Sequence, residues 1–407
     1  MHRCQTIIVG GGVSGLACAR VLEAANHDWI LFEASARVGG RVKTDQVDGF
    51  LLDHGFQVLL TAYPEARAVL DYSALGLRSF APGARVLSAS GWSRLGDPLR
   101  RPSDLLPTLM SPAGSLLDKL RILRWKREVC RQSIDTLLAA PEQSAEEALR
   151  ARGFSETMLE TFLRPFFRGV FLDPGLTRSS RLLDFVFKMF AEGEAVLPAE
   201  GMEAIPRQLA SGLPVNRIRC NRTAVAIENG KVTFADGETV GADNVVVATE
   251  AASAGALLPG LDTPSSLGVW CDHFRAPALP AHADYLHLSG RGRFNNIAFP
   301  SAVQRGYAPP GAHLVSVTSL AEHPVKEIHA GLTDAFGPPA SEWEHIHRRR
   351  ITAALPARSG LTPAVHPLRL NEGLYAVGDH RALPTLNSAL ATGRNAGKAI
   401  IAGLPRA

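Results

Sequence analysis

Closely spaced cysteine pairs are missing from this 407-residue chain: its five cysteines, Cys4, Cys18, Cys130, Cys220 and Cys271, are odd in number and scattered. Without a C-x-x-C spacing neither a zinc site nor a dithiol redox centre is indicated, and reduced thiols in a cytoplasmic protein are expected. Cys18 sits in an apolar helical pattern, where a small thiol packs as a hydrophobe. Long apolar runs are missing too: none reaches the ~18 residues of a spanning helix, so no membrane crossing is expected. Charge of one sign is scarce, since 43 Lys and Arg against 39 Asp and Glu leave a net +4. No basic stripe suits a nucleic-acid partner. Nor does a Ser/His/Asp set, a carboxylate pair or a metal-ligand cluster stand out.

What is present is an ordinary globular composition, 46% hydrophobic and 20% charged. The length exceeds what one compact core serves, so two intertwined domains are expected. His2 and Arg3 precede an apolar run, as in a secretory leader. Gly10, Gly11, Gly12 and Gly15 interrupt that run and an amphipathic helix follows, so it reads as a first strand and helix instead.

Thr6 to Val9 is a short β-branched run suited to a buried parallel strand. Gly10, Gly12 and Gly15 then form G-x-G-x-x-G, with Val13 and Ser14 opening a helical pattern, and a second strand from Trp29 ends at Glu33 and Ala34. Gly10 permits a tight turn, Gly12 lets backbone approach a pyrophosphate, and Gly15 lets the helix pack closely on the strand. The helix N-terminus offers unpaired N–H groups and partial positive charge to phosphates. Glu33 can accept hydrogen bonds from ribose hydroxyls, and an acid there repels a 2′-phosphate, which disfavours NADP. Strand, glycine turn, helix and acid in this order predict a dinucleotide site.

Next comes Arg37-Val38-Gly39-Gly40-Arg41. It resembles the second Gly-Gly-Arg motif of the superfamily that holds the flavin amine oxidases and phytoene desaturases. The resemblance implies FAD held non-covalently, with Gly40 close to the cofactor and Arg41 neutralising its diphosphate. The stretch Asp48 to Glu65, with Gly55-Phe56-Gln57 and Tyr63-Pro64, is similar to the corresponding part of phytoene and ζ-carotene desaturases. By that likeness Gly55, Phe56 and Gln57 run along the isoalloxazine ring; an ordinary loop role for Gln57 stays open.

The likeness continues in blocks. Leu197 to Met202 resembles a Pro-x-x-Gly-Met element, Val225 matches a residue that meets adenine through its backbone, and Ala248-Thr249 ends a strand beneath the cofactor. Glu250 departs from the small residue usual there. Near the end, Gly378-Asp379 resembles a motif whose aspartate binds the ribityl chain. Asn387, Ser388 and Ala389 then open a helix aimed at the pyrimidine end of the ring, where a helix N-terminus stabilises negative charge. No cysteine lies in this segment, so covalent flavin attachment is not expected.

The resemblance implies an α/β fold: a Rossmann-like FAD-binding domain of the amine oxidase type with an inserted α+β substrate domain. The expected division assigns residues 1–75, 196–260 and 346–407 to the cofactor domain. A helical part, 76–195, and a sheet part, 261–345, form the substrate domain. His287, Asn295, Asn296 and Trp270 are candidates to face the flavin, with Gln57, Phe56 and Asn296 foremost. Residues 115–129 mix leucines with five cations and read either as an interfacial helix touching a membrane peripherally or as a packed helix with a solvated face.

The aromatic pair with which monoamine oxidases trap an amine has no counterpart at Pro384-Thr385-Leu386, and no lysine lies in Asn295 to Pro300. The expected activity is therefore FAD-dependent dehydrogenation of an apolar or modestly polar small molecule, desaturase-like, with oxygen or a quinone as electron acceptor. Amine or porphyrinogen oxidation on the same scaffold is the alternative. A redox-neutral isomerase or a non-catalytic flavin protein is the alternative of another class.

Overall fold

The computed structural model describes residues 3–290, 293–358, 360 and 365–403; His2 of the basic start and the last four residues lie outside them. Arg3–Val9 forms the centre of an eight-stranded sheet, flanked in parallel by Trp29–Phe32 and Thr239–Val247. Ile7 faces Ile30 on one side and Val245 on the other. Ile7 and Ile8 are fully buried, which is why the strand reads as continuous β-branched residues rather than an alternation. Leu374–Ala376 adds a further parallel strand beside Thr239–Val247. On the far side Lys231–Phe234 and Ala224–Glu228 continue the sheet antiparallel, and Gly237 takes the positive φ that the Asp-Gly turn requires.

Two helices pack on this sheet and on each other: Val13–Ala24, directly after the glycine turn, and Leu386–Ala402, the last long element. A Cβ added to Gly393 would lie 2.0 Å from the Ser14 carbonyl oxygen. The two backbones touch there, and the beginning and end of the chain converge on one site.

A second, seven-stranded sheet has the order Glu344–Pro356, Ser266–Ala276, His313–Ser319, Asn296–Ala298, Leu286–Ser289, Gly83–Ser88, Gly91–Gly96. One face packs Phe274, Ile297, Val315, Val317 and Trp343 into a core of its own. The other face, with Val269, Asn296, Thr318 and Leu288, turns toward the first sheet. Helices Leu116–Arg131, Arg164–Phe171 and Ser180–Glu192 complete this half. The helix foreseen after Ser144 is present with both bonds of its capping box, and Pro165 sits in the first turn of a new helix after a π-helical turn.

Two elements differ from the sequence reading. The stretch after residue 76 is not helical throughout: Gly83–Ser88 and Gly91–Gly96 form a hairpin on the edge of the second sheet. Glu344–Pro356 is a thirteen-residue strand paired with Ser266–Ala276. Its His and Arg residues hide the apolar alternation of a strand, because they pair with acids: Arg348 and His345 with the buried Asp272, and Arg349 with Asp45.

Candidate functional site

Between the two sheets runs a cavity of about 2020 Å³. One end is built almost wholly from backbone. Gly10 has φ +111°, and a Cβ at Gly15 would lie 2.0 Å from the Gly10 carbonyl oxygen. The helix therefore presses onto the turn and leaves its first amides facing the cavity. Gly12 caps that helix with no side-chain cap and no acid in the first turn, so its N–H groups are free for an anion. Gly12 bridges Gly39, and a Cβ on Gly40 would lie 3.1 Å from the Gly12 Cα. The two glycine motifs thus make one cradle.

Glu33 is buried at the edge of that cradle. One carboxylate oxygen accepts from Gly11 N at 2.7 Å and the other from Ser35 N and Oγ at 2.8 and 2.6 Å. Each oxygen retains acceptor capacity for a hydroxyl in the cavity. Gly10, Gly12, Val13, Ser14, Glu33, Ala34, Gly40, Arg41 and Val225 all line this end. Among the described residues, Thr249 Oγ1 is buried there without a partner. A cradle that any Cβ would fill, unpaired helix amides and an unsatisfied hydroxyl together fit a dinucleotide diphosphate and its adenosine.

Toward the middle, Arg41 and Asp379 form an ion pair of 2.5 Å, and Arg41 also donates to the Ala354 carbonyl at 3.0 Å. Gly378 N donates to Thr392 Oγ1, which ties the Gly-Asp turn to the last helix. Next to it His380 is buried with neither ring nitrogen paired among the described residues, and burial pulls it down to about 4. It is neutral at physiological pH. Gly55 has φ +86°, and an added Cβ would touch Ile351 and Val269 of the second sheet. Gln57 donates to the carbonyls of Arg41 and His54 at 3.0 and 2.9 Å, so its amide hydrogens brace the loop rather than point at a ligand. Phe56 packs edge-on against Phe80 at 5.8 Å.

Behind this loop lies an unforeseen knot. Asp53 accepts from Thr44 Oγ1 at 2.5 Å, Met202 N at 2.9 Å and Tyr307 Oη at 2.9 Å. Burial pushes its carboxyl up to about 6, against the lowering effect of those bonds. No sequence spacing links Thr44, Asp53, Met202 and Tyr307, which meet only on folding.

The structure brings most, but not all, of the expected residues to the cavity. Gly15 is not on the wall: it sits in the first turn of its helix against the Gly10 carbonyl and acts through packing. Asn387 and Ser388 are not on the wall: Asn387 Oδ1 accepts from Glu65 N at 2.9 Å, and Ser388 N donates to the capping Thr385 Oγ1. Ala389, Thr385 and Leu386 line it in their place. Among the second-sheet candidates only Asn295 and Asn296 reach the cavity. His287 faces the opposite side among Trp92, Phe299 and Phe336. Trp270 sits between Arg348 and Arg350 on that same side. The period-two alternation of strands puts both away from the cavity. Asn296 Oδ1 accepts from Thr318 and Asn295, and its Nδ2 is buried without a partner among the described residues.

The other end of the cavity is apolar and was not foreseen. Helix Ser180–Glu192 turns Leu182, Val186 and Phe190 into it, at a spacing of four. Phe162, Phe166 and Leu163 face them. Leu105, Leu109, Leu120 and Leu123 line the mouth while standing 44–60% exposed.

Comparison with known proteins agrees with this architecture. The sequence pattern of the family described as flavin containing amine oxidoreductase matches residues 13–335. Protoporphyrinogen oxidase 2 of Arabidopsis thaliana, a chloroplastic/mitochondrial protein, is 30% identical over 169 residues. That match covers 40% of this chain and 32% of the relative, so it spans about a third of that protein's length. Reduced UDP-galactopyranose mutase superposes with a TM-score of 0.73 at 16% identity, over 99% of this chain and 96% of its own. A putrescine oxidase bound to putrescine gives 0.72 at 17% identity, over 98% and 99%; both likenesses show the fold. With its glycine cradle, its acid and its two-sheet cavity, the chain belongs to the flavin-containing amine oxidoreductase family, an oxidoreductase family whose cofactor is FAD.

Proposed function

We propose that this enzyme dehydrogenates an apolar or modestly polar small molecule in a desaturase-like reaction. The observation that carries the reading is the apolar end of the cavity, continuous with the glycine cradle and opening to solvent between exposed leucines. Bound FAD supplies the hydride-accepting chemistry. The residues of the chain hold, orient and exclude water. Gly10, Gly12 and the helix at Val13 hold the diphosphate, Glu33 the ribose, and Arg41 with Asp379 the middle of the cofactor. Gly55, Phe56 and the braced Gln57 run beside the ring, while Leu182, Val186 and Phe190 strip water from the substrate and hold it against the ring. Where monoamine oxidases carry an aromatic, Pro384, Thr385 and Leu386 line this cavity, which favours a hydrocarbon over an amine.

Anaerobic addition of donors to the yellow holoenzyme tests this. Bleaching by a polyene and none by putrescine is expected; bleaching by the amine alone overturns it. Porphyrinogen oxidation is a second reading, favoured by the identity to the Arabidopsis relative, and bleaching by a porphyrinogen alone would select it. Oxygen or a quinone is the proposed terminal acceptor, separated by reoxidation rates with each.

The same reading assigns a membrane face. Helix Leu116–Arg131 buries only Asp118, Trp125 and Val129. With the helix before it, it exposes Leu106 (66%), Met110 (74%), Leu116, Leu117 and Leu120, with Lys119, Arg124 and Arg127 in the same stretch. Apolar side chains among cations, at the mouth of an apolar cavity, suit peripheral contact with an anionic bilayer. No helix among the described residues is long and apolar enough to cross a membrane. Cosedimentation with phosphatidylglycerol vesicles is expected, and Leu106→Glu with Met110→Glu abolishes it; binding unchanged by the pair overturns the assignment.

A further inference from the structure

The apolar wall of the cavity carries one feature that an unsubstituted hydrocarbon does not use. Arg178 lies two residues ahead of helix Ser180–Glu192, lines the cavity and is only 8% exposed. Among the described residues its guanidinium makes no hydrogen bond, and Nε is buried without a partner. Its neighbour Asp173 stands 3.5 Å from Nε, but the acid is already occupied. One of its oxygens accepts from Thr177 N, Thr177 Oγ1 and Arg178 N at 2.6, 2.9 and 3.1 Å, the other from Gly175 N at 3.2 Å. Asp173 therefore offsets the charge of Arg178 and leaves its fork of N–H donors unmet. Unmet donors in an apolar wall are costly unless a ligand supplies the acceptor.

The position of Arg178 is as informative as its chemistry. Leu182, Val186 and Phe190 line the cavity at intervals of four on one face of helix Ser180–Glu192, and Arg178 lines it just ahead of the start of that helix. From Leu182 to Phe190 that helix face runs roughly 12 Å at 1.5 Å per residue, and Arg178 extends the track ahead of Leu182. Its far end abuts the loop beside the ring. Thr61 N donates to Glu194 O and Glu194 N to Thr61 Oγ1, while Phe80, which packs on Phe56, donates its N–H to Ala195 O. A molecule lying on the track with its reacting bond near Phe56 places its other end at Arg178.

We infer that the substrate is an elongated apolar chain ending in a carboxylate, which Arg178 binds through its guanidinium fork while Leu182, Val186 and Phe190 carry the chain to the ring. A carboxylate matches the planar fork with two parallel bonds. A dianionic phosphate would add a second negative charge beside Asp173. The inference rests on the proposed dehydrogenation of an apolar substrate and names its class.

Parinaric acid, a conjugated C18 tetraene acid that brightens in apolar surroundings, is a direct probe when titrated into the holoenzyme without vesicles. Its methyl ester keeps the chain and removes the charge. The acid is expected to bind at least tenfold more tightly than the ester. Arg178→Met should erase that preference while leaving ester binding and FAD content unchanged, and Arg178→Lys should restore part of it. A merely structural role for Arg178 would move acid and ester together. Equal binding of acid and ester, or a preference that survives Arg178→Met, overturns the assignment while leaving the apolar cavity standing. Binding of neither probe overturns both the assignment and the reading beneath it. If Arg178→Met does not fold, the native acid-to-ester ratio and Arg178→Lys decide alone.

Discussion

The two ends of the cavity are built by opposite means. The cofactor end is made of backbone: a carbon added to Gly15 would collide with the Gly10 carbonyl oxygen, one added to Gly10 or Gly39 with the carbonyl oxygens of Ala248 or Val42, and one added to Gly40 would crowd the Gly12 Cα. The substrate end is made of side chains from the helix Ser180–Glu192, the helix Arg164–Phe171 and the second sheet, elements far apart in sequence. Backbone cradles admit one residue type per position. Apolar walls admit many, as long as volume and polarity are kept. The first end should therefore break with one atom, and the second should change its preference without losing the cofactor.

The largest effect is expected from Gly15→Ala. Its Cβ would lie 2.0 Å from the Gly10 carbonyl oxygen, so helix and strand must separate, at about 3 kcal/mol or more. The variant should purify colourless and melt early; a yellow, normally stable Gly15→Ala protein would contradict the packing role. Asp379→Asn comes next. It discharges the partner of Arg41, and loss of a charge-assisted bond of about 2 kcal/mol predicts FAD binding weakened ~30-fold by equilibrium titration. Glu33→Ala removes the acceptor of Gly11 N and Ser35 N and should cost roughly tenfold in FAD retention. Unchanged occupancy would take Glu33 out of the site.

A pH-dependent effect on stability, with no change in FAD binding, concerns Asp53, on which both halves rest through Met202 and Tyr307. Its carboxyl rises from 3.8 to about 6 on burial, so the native state favours the protonated form. That contribution to stability is full below 3.8 and is lost as pH rises through about 6, roughly 3 kcal/mol in all. Asp53→Asn should therefore gain on the parent by ~3–4 °C in Tm between pH 4 and 7. A constant difference across that range would show that Asp53 does not titrate there.

The contrast between the ends also explains what could be read from the chain before its fold was known. Gly10 to Gly15, Glu33 and Gly39 to Arg41 are short, local and chemically restricted, so their order already spells a dinucleotide site. Gly378-Asp379 pairs with Arg41 across more than three hundred residues, yet each half carries its own motif. The substrate end has no such grammar. Arg178, Asn296 and Thr318 become neighbours of one cavity only through the pairing of strands and the packing of helices. Leu182, Val186 and Phe190 show a spacing of four that marks a helix face but not what the face meets. Asn387 and Ser388 lie off the wall for a related reason: the helix they open is legible, but the rotation that turns Thr385, Leu386 and Ala389 to the wall is set by its contact with Gly15's helix. His287 and Trp270 face away from the cavity, which the sequence does not show because strand alternation needs the start of each strand to within one residue.

In the proposed reaction one continuous cavity delivers an apolar substrate to a flavin held at its other end. Anaerobic reduction of the bound flavin by a polyene donor in Val186→Trp tests it most directly, because the indole fills the track midway without touching the cradle. Full FAD content and reduction at least tenfold slower than in the parent are expected. Full occupancy with an undiminished rate of reduction would contradict it.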